Sequence, residues 1–569
     1  MSLWAPRAES VAIEIEDRQM HPMFRDVDGW WRIDLRPVGR YRYVVDGFAM
    51  ADPRSPWQPE GVDGWSHVVD HGAFHWHDES WTGRPLGQAV VYELHIGTFS
   101  KAGTFDGAID HLDHLVELGV NAVELMPVAE FSGARGWGYD GVLLYAPHHA
   151  YGGPDGLKRL VDACHARGLS VVLDVVYNHL GPHGNHLARC GPYFTEEYRT
   201  QWGAAVNLDG WGSDVVREFF CDNALMWLRD YHFDGLRVDA VHAFADRSAR
   251  PFLEQLTDAV HELGVQLGHP IWMIAESDLN DPRVVRTRSD HGLGFDASWS
   301  DDFHHALHAV VTGERTGYYA DFGSLEQLAL ALRQSYVYDG RYSTHRGRTH
   351  GRTPRGVTPD RFLAYSQTHD QVGNRALGER TSALASTRLL EIAAAVVLLS
   401  PFVPMLFQGE EWGASSPFLY FTDHRDPALG DTVREGRRKE FESFGWDPAR
   451  IPDPQDVGSF LRSKLDWSEV NRSPHDELLS WYRRLIALRS THEAHGGLLV
   501  HDVRGDDVTR CLLVRSAGLT WAANFSTEAQ RVGEPVAIGD LILANDAAIT
   551  VEQGQIGMPP QSVAIFRSS

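Results

Sequence analysis

Three acidic residues each close an apolar run: Asp239 in GLRVDAVHA (235–243), Glu276 in IWMIAES (271–277) and Asp370 in FLAYSQTHD (362–370). A supply of carboxylates suits the cleavage of an acetal, because a glycosidic oxygen is a poor leaving group. One carboxylate must attack or stabilise the sugar carbon while a second, protonated, releases the departing oxygen. The two roles need two environments. Asp239 lies two residues from Arg237, so in a strand both side chains face one way and the guanidinium favours an ionised nucleophile. Glu276 follows the apolar IWMIA, where loss of water raises a carboxyl pKa and keeps a proton for the leaving group. His179, His242 and His369 stand beside such tips and supply donors for sugar hydroxyls.

Acids from distant parts of the chain meet only if the fold gathers their strand ends, and a closed barrel does so because every βα loop opens toward one mouth. Eight runs have the Val/Ile/Leu density of strands buried on both faces: 90–97, 121–128, 169–179, 235–242, 271–277, 294–300, 362–370 and 404–412. Between them, 107–119 and 156–168 show helical spacing and stop at Gly119 and Gly168. The pattern predicts an α/β chain, a (β/α)8 TIM-type barrel over 87–490. Short alternating runs before it predict an N-terminal β-sandwich over 1–86 that resembles a carbohydrate-binding module, and those after it an antiparallel β-domain over 491–569. Trp30, Trp31 and Trp57 of the first segment read as packing residues, with a sugar platform as the alternative. The stretch 181–211 is too long for an ordinary connection and is expected to pass over the barrel mouth. The Arg- and Gly-rich stretch 338–356 reads as a mobile surface loop, with a binding element as the alternative.

Composition narrows the partners. The 569 residues are 43% hydrophobic and 23% charged, with no run near the roughly 20 apolar residues of a membrane span. A net charge of −25 weighs against nucleic acid and anionic lipid surfaces and leaves neutral sugars compatible. Cys164, Cys190, Cys221 and Cys511 form no C-x-x-C pair, so reduced, buried thiols are expected. The first residues carry no basic segment followed by an apolar one, which points to the cytoplasm.

Four strings stand in order along the barrel pattern: DVVYNH (174–179), GLRVDAVHA (235–243), IAES with Glu276, and THD (368–370). In these the chain resembles the α-amylase superfamily, glycoside hydrolase family 13. The resemblance implies a retaining mechanism with Asp239 as nucleophile, Glu276 as general acid and then base, and Asp370 as the carboxylate that grips sugar hydroxyls. It also implies substrate contacts from Asp174, His179, Arg237, His242, His369 and Gln371, and from Tyr139 of GWGYDG (136–141), whose flat face would stack on a pyranose.

Finer strings at 295–323, 369–375 and 407–424 are similar to those of family members that cut the α-1,4 bond next to the terminal trehalose of a maltooligosyltrehalose. Asp301, Asp302, His304, Tyr318 and Tyr319 would then shape the trehalose side, the alternative being a capped helix start and core aromatics. The choice of trehalose rests on resemblance alone. A branching enzyme or general α-glucan hydrolase on the same scaffold stays open, as does an inactive glucan-binding protein, although a pure binder has no use for a separate proton donor. No cofactor or protein partner is implied. Family members often bind calcium beside the third-strand excursion, but 181–211 offers few acids beyond Glu196, Glu197 and Asp209 for a cage of six to eight oxygens, so no metal is expected.

Overall fold

Each of the eight apolar runs supplies one strand of a closed parallel barrel: β1 Val91–Leu94, β2 Ala122–Leu125, β3 Ser170–Val175, β4 Gly235–Val238, β5 Trp272–Ala275, β6 Ala297–Trp299, β7 Phe362–Ala364 and β8 Val403–Phe407. The strands pair in sequence order, and β8 closes on β1 with Met405 opposite Val91. This computed structural model describes residues 1–16, 19–442, 450–493, 498–533 and 538–568.

Alternation along each strand sorts the side chains into two cores. Trp272 and Ile274 of β5 join Val91, Ala122, Val172, Trp299 and Met405 in a cluster inside the barrel. Met273 and Ala275 belong to the larger outer core beneath the helices. Burial of one large apolar side chain contributes about 1.5–3 kcal/mol, so a slip of one residue in any strand would be heavily penalised. The inward alternation ends in a polar layer below the mouth: Glu93 on β1, Glu124 on β2, Asp174 on β3 and Arg237 on β4, each no more than 2% exposed.

The helical stretch expected at 107–119 forms as two pieces, Phe105–Ile109 and Leu112–Leu118. The second buries Leu112, Leu115 and Leu118, and stops at Gly119, whose φ of 98° lets its N–H reach back to Leu115 and Val116. A Cβ there would lie 2.9 Å from Ile486. The helix Gly153–His165 starts against Trp57, whose ring would be 2.3 Å from a Cβ on Gly153, so this tryptophan packs the N-terminal segment onto the barrel. Trp31 is buried and donates its indole N–H to the Ala5 carbonyl.

The N-terminal segment holds two antiparallel sheets, one of Ser2–Trp4, Trp30–Arg32 and Phe24–Arg25, the other built on Val11–Ile15 and Arg40–Val45. Beyond the barrel, helix His475–Glu493 runs past residue 490, and a five-stranded sheet follows from Val500–Asp506 to Ser562–Ser568. All four cysteines are free and buried. No helix among the described residues is long and apolar enough to cross a membrane.

The stretch 338–356 is not a loop. It forms a β-hairpin, Asp339–Ser343 with Arg348–Gly351. Asp321 holds it by accepting from the Tyr338 hydroxyl (2.6 Å), the Ser343 hydroxyl (2.6 Å) and the His345 N–H (3.0 Å), an anchor 22 residues from Ser343 that local polarity does not reveal.

Candidate active site

The polar layer turns into a cleft of about 750 Å³ at the C-terminal ends of the strands, and Asp239, Glu276 and Asp370 all line it. Arg237, the last inward residue of β4, organises the first two. Its Nη1 donates to Asp239 Oδ1 (2.8 Å) and to both oxygens of Asp174 (2.9 and 2.8 Å), while Nη2 lies 3.7 Å from Glu276 Oε2. The second oxygen of Asp239 accepts from Asn178 Nδ2 at 2.8 Å.

One peptide couples the acids directly. Ala240 follows Asp239 with φ 43° and ψ 53°, a left-handed conformation that costs an L-residue roughly 1–2 kcal/mol. That turn aims the Ala240 N–H at Glu276 Oε2, 2.6 Å away. Glu276 is held well above the usual carboxylate range, first because burial penalises its charge and then because Asp239, Asp301 and Asp370 repel it, against the pull of Arg237. An acid whose proton is held more tightly than usual thus stands beside a carboxylate that accepts from a guanidinium, the two environments that acetal cleavage requires.

In the wall of the cleft Tyr139 and His369 form one chain with the buried carboxylates beneath them. The Tyr139 hydroxyl donates to Asp174 Oδ2 (2.5 Å) and therefore accepts from His369 Nε2 (2.8 Å). His369 Nδ1 meets Glu93 at 2.5 Å, so both ring nitrogens act as donors. Burial works against that charge, but Glu93 outweighs it and the His369 pKa is raised. Asp174 is raised to about 6 by burial, with Arg237 opposing.

The excursion over 181–211 does reach the mouth. Phe194–Thr200 and Gly203–Val206 make a hairpin whose tip, Gln201 and Trp202, lines the cleft. Trp202 stacks on His179 (4.4 Å, 5°) yet keeps 41% of its surface exposed, a flat face available to a sugar. Sequence reading missed Trp202, because only the hairpin brings it back over β3. It also missed Asn178 as a partner of Asp239, and Tyr420, Asn374 and Arg437, which line the far wall.

The remaining expected residues divide. His242 lines the cleft beside Asp278 (4.0 Å). Asp370 is exposed in the first turn of helix His369–Gly373, six residues beyond the end of β7. Gln371 caps that same helix by accepting from the Thr368 N–H and hydroxyl. Asp302 is buried and accepts from Asn280, Val337 N–H and Tyr338 N–H, which makes it a backbone anchor outside the cleft lining. Asp301 accepts from the Tyr365 hydroxyl (2.6 Å), and burial raises its pKa to about 6. His304 is enclosed between the Ser366 carbonyl and the Tyr319 hydroxyl.

Barrel and site together define an α-amylase-type glycoside hydrolase, and residues 93–203 match the family described as the alpha amylase catalytic domain. The chain is 54% identical over 498 residues to a malto-oligosyltrehalose trehalohydrolase of Arthrobacter ramosus (86% of each chain) and 47% identical over 580 residues to one of Rhizobium sp. (99% of this chain, 97% of the relative). A Salmonella typhimurium protein, described with its 1.4 Å crystal structure as a proposed alpha amylase, superposes with a TM-score of 0.90 at 38% identity, covering 100% of this chain and 97% of that one. The chain belongs to the malto-oligosyltrehalose trehalohydrolase family.

Proposed function

We propose that this chain hydrolyses the α-1,4-glucosidic bond next to the terminal trehalose of a maltooligosyltrehalose, releasing trehalose and a maltooligosaccharide with retention of configuration. The observation that carries the chemistry is Glu276, its carboxyl pushed well above the usual range by burial, set beside Asp239 by the Ala240 amide and Arg237. Asp239 attacks the anomeric carbon while Glu276 gives its proton to the bridging oxygen, so trehalose leaves neutral. The Glu276 carboxylate then takes a proton from water, whose oxygen replaces Asp239 at the same carbon. Asp370 holds hydroxyls of the distorted ring, Tyr139 and Trp202 supply flat faces, and His179, His242 and His369 supply donors. Asp174 holds Arg237 in register. Support for trehalose as leaving group comes from the relatives, not from the cleft.

A division into 1–86, 87–490 and 491–569, with all the chemistry in the second unit, fits this reading, as does a cytoplasmic site of action on neutral α-glucans. The deciding experiment compares products from maltotriosyltrehalose and from maltopentaose. Trehalose and maltotriose from the first, with the second nearly untouched, is the expected result. Equal cleavage of both would reduce the activity to a general α-1,4-glucan hydrolase, and new α-1,6 branches on amylose would make it a transferase.

A further inference from the structure

The loop 132–140, which carries Trp137 and Tyr139 to the cleft, springs from a hairpin of Ala129–Phe131 and Gly141–Pro147. At the root of that hairpin, Glu130, His148 and His149 bring one carboxylate and two imidazoles together. Their ligand atoms all lie within 4.8 Å of one another, the single such group of three His, Cys, Asp or Glu side chains among the described residues.

Glu130 and His148 are fully buried and His149 is half-buried. His149 Nδ1 is 2.8 Å from Glu130 Oε1, and the His149 N–H donates to Oε2 at 2.8 Å, which fixes the carboxylate plane. His148 is only half satisfied. Its Nδ1 makes an ion-pair contact with Oε2 at 3.3 Å that lacks good hydrogen-bond geometry, and its Nε2 has no hydrogen-bond partner. A buried polar atom left so is penalised, and a ligand that pairs it is favoured. The ring is not free to turn away, because Phe131 stacks on it at 3.7 Å and 15°. Ligands about 2.0–2.2 Å from a tetrahedral zinc ion lie about 3.3 Å apart, the spacing between His148 Nδ1 and Glu130 Oε2, while His149 Nδ1 stands closer, 2.8 Å from Oε1.

We propose that Glu130, His148 and His149 bind one divalent cation of the zinc class, with water completing the shell, and that this ion clamps the root of the Tyr139 loop. Two nitrogens and one carboxylate select zinc or cobalt over calcium, which needs an oxygen cage. None of these three ligands comes from 181–211, a segment poor in oxygen ligands. One group opposes the ion: Arg425 stands outside the site near Gly61, with its Nη1 3.6 Å from Asp63 as counter-charge.

The test uses the full chain stripped with chelator and titrated with Co²⁺ while visible absorption is followed. One equivalent should give the ligand-field bands of a nitrogen–oxygen site, one equivalent of Zn²⁺ should abolish them, and Zn²⁺ should raise the Tm. His149→Ala, at the half-buried edge, should weaken binding by more than the roughly 10–100-fold of an outer-shell change, with the circular dichroism unchanged. Glu130→Gln should do the same, and Arg425→Ala should tighten binding. Wild type that shows neither bands nor a Tm change in excess metal would overturn the site. So would bands that persist in both ligand variants, since they would place the metal elsewhere.

Discussion

The two ends of β4 carry the same kinds of groups and use them differently. Asp234, just before the strand, is 1% exposed and accepts from the Val171 N–H (2.7 Å), the Trp81 indole (2.6 Å) and His165 Nε2 (3.0 Å). His165 in turn meets Asp78 at 2.8 Å, and Trp81 stacks on the ring at 4.5 Å. Both oxygens of Asp234 and both ring nitrogens of His165 face partners, and the cluster ties the segment before β1 to the bottom of the barrel. Asp239, just after the strand, also accepts from a cation and an amide, but its side chain is 13% exposed and opens on the 750 Å³ cleft. A carboxylate at the lower end therefore serves stability, and one at the upper end is available for chemistry.

Substitutions at the two ends should separate along that line. Asp239→Asn should lower kcat by about 10⁴-fold or more with little change in Tm, and a near-wild-type rate would remove Asp239 from the nucleophile role. Activity should fall as pH rises through the raised pKa of Glu276, because the acid form protonates the leaving oxygen. Glu276→Gln should lower kcat by about 10²–10⁴-fold, leave substrate binding intact and erase that alkaline limb.

At the lower end, Asp234→Asn should reduce stability by about 3–5 kcal/mol while kcat per folded molecule stays unchanged. A loss of kcat without a loss of stability would dissolve the contrast. His165, raised to about 9 by its two aspartates against the opposing effect of burial, supplies stability that is full below the unfolded pKa near 6.5. That stability, on the order of 3 kcal/mol, should vanish as pH climbs from about 6.5 through about 9, and His165→Gln should flatten the profile. The smallest effect belongs to the hairpin tip. Trp202→Ala should raise KM by about tenfold, roughly 1.4 kcal/mol, with Tm unchanged, since the ring is 41% exposed.

What could be read from the sequence follows the distance over which the physics acts. All eight strands were legible, because burial on both faces demands continuous apolar runs. Asp239 and Glu276 were legible because each directly follows its strand. Asp370 was marked by its motif, although it sits on a helix beyond β7. At Asp302 and Gln371 the contacts are those of a backbone anchor and a helix cap, neither of which the motifs indicated. Trp202, the anchor of Asp321 under 338–356, and the Asp234 cluster all depend on pairs far apart in the chain, which no local period encodes.

The backbone turn at Ala240 has a consequence for engineering. Because the peptide that follows Asp239 also holds Glu276, the spacing of the two acids cannot be adjusted at one without disturbing the other. A β-branched residue at 240 should fail, since φ near 43° excludes it, whereas Ala240→Gly should be tolerated. Variation in substrate choice is better sought in the hairpin Phe194–Val206 and the far wall, which touch the cleft without touching that peptide.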